Sequence, residues 1–440
     1  MKRLSLVVLR AKKLVTPSVA EEERIDTLAK SLLLKTKRAA KLFPETRGVI
    51  MGGSFAKGTW IPRHVDLDVF VKIDPSTSED RFEKVGLEVG EIATRGHPSG
   101  KKFAQHPYTE AIVEGVRVNI VPCFAVKAGK WRSAADRSPF HVGLVKGLEV
   151  EKKTEIRLLK LFMNAVGVYG AEIQTQGFSG YVAEVLVIRL GGFESVLNWF
   201  ASYKPQNGSS LFTLPDPVDE GRDLGIAVSR GSLGRMVLAA REFLRRPSLA
   251  YFAEMKGKVH KSLDKEVYAV LFSHREMSED TLWGELRKTL KHVVRHMEVR
   301  GFAIARALAA SDNISKSAIL LIPEFTELPA VEQRVGPTVD RRKDVEAFIS
   351  TNSKQSRLIW VDDDARVRLL RPRKYTRLPD LLGDVIAGKA GSIGASKEIE
   401  EGMKENGVVL RGETLTRAAS SSRWLSDGIR EITSDAIGTR

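Results

Sequence analysis

Apolar and polar positions change rhythm several times along the chain, and each change marks a predicted element. Thr16-Pro17-Ser18 followed by Glu21, Glu22 and Glu23 reads as a helix start, because acidic side chains favour the free N–H groups of a first turn. A helix is predicted from there to about residue 42, followed by an apolar strand at 48–51. The period of two in VDLDVFV, residues 65–71, predicts a strand with Asp66 and Asp68 on one face and Val69 and Val71 out of phase with them. A helix over 80–95 comes next, and then a hairpin of 109–113 and 116–121 turning at Glu114-Gly115. From about residue 151 the period becomes helical, through EIRLLKLFMNAVGVYGAE and YVAEVLVIRLGGFESVLNWFASY. The Pro-rich break LPDPVDEGRD, 214–223, precedes a further helix over 233–244.

The rest has another order: strand VYAVLF, helix TLWGELRKTLKHVVRHMEVRG, strands FAIARALAA and SAILLIPE, helix VDRRKDVEAFIST, then strands RLIWV and RVRLL. That order predicts a ferredoxin-like β-α-β-β-α-β unit with an added strand. Beyond residue 378, amphipathic pieces separated by AGKAGSIGAS and a Ser/Arg-rich end predict a small helical tail with some disorder. The predicted class is α+β and multidomain, divided at 1–150, 151–255, 256–377 and 378–440, with no repeat at a period of about 20 to 50 residues.

Candidate chemistry concentrates in GGSFAKGTWIPRHVDLDVFV, residues 52–71. Two carboxylates on one strand face repel each other and call for a cation. Mg²⁺ suits them, since it takes one or two carboxylates plus substrate phosphates. Gly52 and Gly53 allow close backbone approach to a triphosphate, and Ser54 is placed to cap a short helix whose N–H groups attract anions.

Charge adds a partner. The 440 residues carry a formal net charge of +15, which favours a polyanion such as nucleic acid or a nucleotide. The single cysteine, Cys123, excludes a disulfide framework and a multi-cysteine zinc site. The first residues put charges on both sides of a short apolar run without a small-residue cleavage site, so no signal peptide is read. No run reaches the roughly 20 apolar residues of a membrane helix, and a soluble, cytoplasmic protein with no membrane partner is expected.

The order Gly-Ser, short helix, D-x-D strand resembles the signature of polymerase-β-like nucleotidyltransferases. With HPYTEAIVEGVRVNIVPC, AADRSPFH, EIRLLKLF, GVYGAE, GFSGY, DPVDEGRD and REFLRRPSLAYF in order, the chain resembles the archaeal, class I, CCA-adding tRNA nucleotidyltransferases over at least its first 250 residues. The resemblance implies a nucleotidyltransferase head, a helical central domain, a ferredoxin/RRM-like tRNA-binding body and a tail. It further implies template-independent addition of C, C and A to the tRNA 3′ end from CTP and ATP, with two Mg²⁺ ions. The implied partners are tRNA, held by acceptor stem and T-arm, the two nucleotides, and optionally a second copy in a homodimer.

By the same resemblance Asp66 and Asp68 bind metal, while Gly53, Ser54 and Lys57 lie near the triphosphate. His106, Ser138, Lys160 and Tyr169 match further nucleotide contacts, and Arg235 matches an arginine that reads the base edge. On residue grounds alone, Lys160 borders an apolar helical arc from which its ammonium could reach phosphate, and Tyr169 sits in a Gly-flanked turn.

The family's third carboxylate is replaced by Asn119, whose amide oxygen can coordinate but adds no charge and cannot act as a base. If Glu114-Gly115 is a two-residue turn, Glu110 falls opposite Asn119 and its carboxylate reaches the same ion. The alternatives are that Asn119 is tolerated, or that it inactivates. For RNA, Arg287, Lys291 and Arg295, with Lys288 and His292 beside them, form a basic helical stripe, and RPRKYTR at 371–377 adds a second patch with Tyr375 for stacking. A poly(A) or oligoadenylate-type transferase and a catalytically impaired tRNA-binding homologue are the rival readings.

Overall fold

The computed structural model describes residues 2–204, 212–253, 260–391 and 393–435. They divide into two compact units, one reaching Lys256 and the other Gly257–Asp435.

The first unit opens with α1 (Lys2–Leu14) and α2 (Val19–Ala40). Ser18 caps α2, its hydroxyl accepting from the Glu21 N–H at 3.2 Å, so the predicted start is realised by an N-cap. There follow β1 (Thr46–Met51), α3 (Gly53–Lys57), β2 (Asp66–Ile73), α4 (Glu79–Ala93), β3 (Ser99–Phe103), β4 (Pro107–Val113) and β5 (Val116–Phe124). These strands form one sheet in the order β1-β2-β5-β4-β3, with β2 and β5 parallel and the other pairs antiparallel.

The period of two gives this sheet two different faces. Leu67, Val69 and Val71 of β2 and Val118 and Ile120 of β5 are fully buried in one core cluster with Ile25 and Leu32 of α2 and Phe82, Val85 and Val89 of α4. Each such side chain contributes about 1.5–3 kcal/mol through burial, which fixes the register. Asp66, Asp68 and Asn119 are thereby turned to the opposite face. A one-residue slip would bury both aspartates in the core.

The helical part comprises α5 (Ser138–Lys146), α6 (Val150–Ala165), α7 (Gly180–Leu190), α8 (Phe193–Ala201) and α9 (Arg230–Arg245). Its core is a cluster of aromatic rings, Phe162, Phe193, Phe243 and Phe252, with centroid separations of 5.5 to 5.9 Å. Val8, Ala11 and Val15, from α1 and the residue after it, are buried in this same cluster, and Lys12 pairs with Glu155 at 2.6 Å. The first helix therefore packs with the helices, although sequence order groups it with the sheet.

The second unit contains β6 (Tyr268–Ser273), α10 (Glu279–Val299), β7 (Ile304–Ser311), β8 (Lys316–Pro323), β9 (Val331–Thr338), α11 (Arg342–Asn352), β10 (Leu358–Val361) and β11 (Arg366–Pro372). It continues with α12 (Leu378–Ile386), α13 (Lys397–Asn406), β12 (Val408–Arg411), α14 (Gly412–Ser420) and α15 (Arg423–Ile432). One sheet runs β12-β6-β8-β7, every pair antiparallel. This is a ferredoxin-like arrangement, but its last strand is β12, from the segment read as a helical tail. The strands assigned from sequence as fourth and added, β10 and β11, instead pair with each other, and β11 pairs with β9, in a separate three-stranded sheet of order β10-β11-β9. Among the described residues no helix is long and apolar enough to cross a membrane.

Candidate active site

The Gly-Gly turn is pressed against the D-x-D strand. Gly53 has φ +61°, and a Cβ built on it would lie 1.8 Å from Asp68 Oδ2. A Cβ on Gly52 would lie 2.2 Å from the Phe70 ring, and the Gly52 N–H donates to the Asp68 carbonyl at 2.7 Å. Only glycine meets the steric and the torsional demand at position 53. Ser54 lies within the first turn of α3, so Gly52 rather than Ser54 occupies the N-cap position, and no side chain caps the helix.

Burial raises the carboxyl pKa of both Asp66 and Asp68 above the ordinary value. For Asp66 the Arg117 charge opposes that rise and Glu110 adds to it; for Asp68 the Asn119 hydrogen bond opposes it and the Asp66 charge adds to it. Strand pairing sets Asn119 beside Asp68, and its Nδ2 donates to Asp68 Oδ1 at 2.8 Å. Asn119 Oδ1 is buried without a hydrogen-bond partner.

Glu114 and Gly115 have φ of +52° and +76°, as a two-residue hairpin turn of the primed type requires, and the register sets Glu110 opposite Asn119. The Glu110 carboxylate lies 3.9 Å from the Arg117 guanidinium, which is 4.0 Å from Asp66. Among the described residues no three histidine, cysteine or carboxylate side chains stand close enough together to hold a metal ion. The donors brought together are two charge-strained carboxylates and an orphaned amide oxygen. That set fits Mg²⁺, which relies on substrate phosphates and water for its remaining ligands.

Beside this face lies a buried ionic cluster. Lys160 of α6 is 1% exposed; its ammonium donates to Glu184 Oε1 at 2.7 Å, Thr59 Oγ1 at 3.0 Å and the Thr59 carbonyl at 3.3 Å. Lys57, which ends α3, donates to Glu184 Oε2 at 2.8 Å and lies 5.1 Å from the centroid of the Tyr181 ring. Burial alone would push the Glu184 carboxyl up, but the two lysines outweigh it and hold it at about 2. Tyr169 bridges to Phe178, and its hydroxyl lies 2.8 Å from where a Cβ on Gly180 would be, with Lys160 Nζ 3.6 Å from the same point.

His141 stacks on Tyr181 with centroids 3.7 Å apart, and Tyr181 donates to Asp216 of the DPVDEGRD segment at 2.7 Å. The His141 Nε2 is buried without a hydrogen bond, 3.5 Å from Asp216, and burial brings its pKa down to about 4.

The structure thus groups Gly53, Lys57, Asp66, Asp68, Asn119 and Glu110, with Lys160 and Tyr169 alongside through Glu184 and Gly180. Ser138 begins α5, the helix that packs on α3 and carries His141. Arg235 is exposed on α9 with a guanidinium nitrogen 3.9 Å from where a Cβ on Gly167 would be, next to the Tyr169 turn. His106 is directed elsewhere: it is buried, bonds Glu83 of α4 at 3.1 Å and meets Phe82 edge-on. Glu184, Tyr181 and His141 were not read as site residues from the sequence. The available signal for Glu184 was an acid inside the otherwise apolar run YVAEVLVI, where an ionised group needs a buried partner.

The basic features divide likewise. Lys288, Lys291 and Arg295 are exposed along α10, whereas His292 Nδ1 contacts the Gly394 carbonyl at 2.6 Å. Tyr375 is buried with its hydroxyl donating to Asp384 at 2.8 Å, so it offers no stacking platform. Arg371 and Arg373 of the same patch are drawn to Glu332 at 2.8 and 3.3 Å.

Comparison with known proteins gives three matching family models. These are "Nucleotidyltransferase domain" over residues 35–141, "tRNA nucleotidyltransferase, second domain" over 154–253, and "CCA-adding enzyme, C-terminal domain" over 264–412. The CCA-adding enzyme of Pyrobaculum islandicum is 32% identical over 87% of this chain and 93% of its own length. That of Pyrobaculum neutrophilum is 33% identical over 89% and 95%, and that of Halorubrum lacusprofundi 31% over 94% and 96%. Identity at this level extends through both units and nearly the full length of each relative, and on that ground the chain belongs to the CCA-adding enzyme family.

Proposed function

We infer that this chain adds C, C and A to the 3′ end of tRNA from CTP and ATP, releasing pyrophosphate. The observation that carries this reading is the contact of Gly53 with Asp68 beside Asn119 in a member of that family. In the reaction, the RNA 3′-oxygen forms a bond to the α-phosphorus as the bond from that phosphorus to the bridging oxygen of pyrophosphate breaks. Mg²⁺, as two ions, would be held by Asp66, Asp68 and Asn119, and when bound it lowers the pKa of the attacking hydroxyl and neutralises the leaving charge.

The chain's own residues supply position. The absent side chain at Gly53 keeps the backbone open to the triphosphate, Ser54 offers a hydroxyl beside it, and the Lys57 ammonium supplies charge at the end of α3. Tyr169 and Arg235 flank the nucleotide from the helical part, Ser138 and His141 from α5. The exposed Lys288, Lys291 and Arg295 give a stripe for the phosphates of a tRNA arm. Incubation with tRNA lacking its 3′ end and mixed nucleotides tests this: extension stops after C, C and A, and an open-ended A tail would overturn it.

A second reading is favoured by one contact. Asn119 gives Asp68 an N–H where the family's carboxylate would give a metal an anionic oxygen, as in an impaired homologue that binds tRNA without extending it. Tight tRNA binding with no incorporation at high Mg²⁺ or Mn²⁺ would establish it.

A further inference from the structure

An ammonium group carries three donors, and all three of Lys160's are taken, two by Thr59 and one by Glu184. Thr59 is itself fully buried and gives its hydroxyl proton to Glu184 Oε1 at 2.7 Å. Lys160 is therefore enclosed on every side by the protein. Lys57 differs: its hydrogen bond to Glu184 Oε2 uses one donor, and the Tyr181 ring supports it from another side. It also ends α3, the helix whose first residue, Gly53, touches Asp68.

Glu184 is thus the one carboxylate tying the two lysines together, 1% exposed, with each oxygen assigned to a different ammonium. A flexible four-carbon lysine stem holds no fixed direction by itself; a buried bonded anion supplies one. The cluster carries two positive charges against one negative, leaving a net positive charge for a polyphosphate.

We propose that Glu184 is a positioning residue for nucleotide binding: it holds Lys160 as its buried counter-cation and aims Lys57, the lysine with donors to spare, at the triphosphate of CTP or ATP. The proposal rests on the nucleotidyl-transfer reading of the site. It concerns the phosphates, so the bases are not distinguished, and CTP and ATP weaken together when the tether is lost.

The test uses the full chain, with inorganic tripolyphosphate and CTP as probes and Ca²⁺ replacing Mg²⁺ to prevent turnover. Glu184→Gln alone leaves both Lys160 and Lys57 buried without their anion, so the comparison is made in a Lys160→Met background, where Lys57 is the one cation of the cluster that remains and melting curves verify folding. There, Glu184→Gln weakens both probes about tenfold or more, as expected for a hydrogen bond to a charged group. In a Lys57→Met/Lys160→Met background the same change produces no further loss, because the lysine it aims is gone. Equal losses in the two backgrounds, or none in the first, overturn the proposal. Failure of the unaltered chain to bind CTP overturns the underlying functional reading instead.

Discussion

Asn119→Asp restores the missing carboxylate and inverts the electrostatics at one point. The Asn119 amide now donates to Asp68 at 2.8 Å. The substitution replaces that attraction by two carboxylates at roughly 4 Å, a repulsion of about 4 kcal/mol at an effective dielectric constant near 20. Protonating an ordinary carboxyl at pH 7 costs about the same, and Asp68, whose pKa burial raises, takes up a proton at lower cost, so protonation limits the deficit. Allowing for relaxation, the metal-free variant is expected to be about 2–4 kcal/mol less stable than the parent in urea with EDTA. Mg²⁺ should then recover most of that deficit, because a third anionic ligand tightens ion binding, and incorporation into tRNA should speed up. The assay is urea denaturation across a Mg²⁺ titration, followed by single-turnover extension. A deficit of the same size with and without Mg²⁺ would refute the assignment of this face to a metal. Adding Glu110→Gln to the parent separates the remaining question: if Glu110 supplies the missing charge, the Mg²⁺ midpoint shifts upward, and an unchanged midpoint removes it from the ligand set.

Two further outcomes are expected. Gly53→Ala must both adopt φ +61° and clear an oxygen 1.8 Å from its Cβ, so it should lose at least about 1–3 kcal/mol of stability and most nucleotide affinity, read by melting and CTP titration. His141, with its folded pKa at about 4 against the usual 6.5, takes up a proton in the unfolded chain before the folded one. Its contribution is therefore complete above about pH 6.5 and lost as pH falls towards 4, by up to about 3 kcal/mol. Urea curves at pH 7 and pH 5 should show a smaller pH difference for His141→Asn than for the parent, and an equal difference would contradict this.

What the sequence revealed follows from the range of the interactions involved. The D-x-D face, the Gly-Gly approach and the Glu110–Asn119 register are set by alternation and by a two-residue turn, so local pattern carried them. Lys160 looked like a surface cation at the edge of an apolar arc. Its burial depends on Glu184, 24 residues on, and on Thr59, 101 residues back, partners that no local period displays. β9 was missed because VEQRVGPT carries charges, a glycine and a proline, and β3 because SGKKF is exposed throughout. β12 is only four residues long and lies within a stretch of helical pieces. Tyr375 and its neighbouring arginines read as an RNA patch because Asp384 and Glu332, which engage them, are distant in sequence from the motif or unremarkable beside it.

The position of β12 also governs the order in which this protein can assemble. Its partner β6 leaves the ribosome early, yet the pairing of Tyr268 with Arg411 spans 143 residues. Until those residues have been made, one edge of β6 lacks its neighbour, while the separate three-stranded sheet, whose strands all lie between Val331 and Pro372, is already complete in sequence. The four-stranded sheet is thus a late event in synthesis, with an open strand edge exposed to other chains in the interval. A ribosome stalled before residue 408 would carry the candidate active site with all of its residues synthesised, joined to a sheet still missing its last strand.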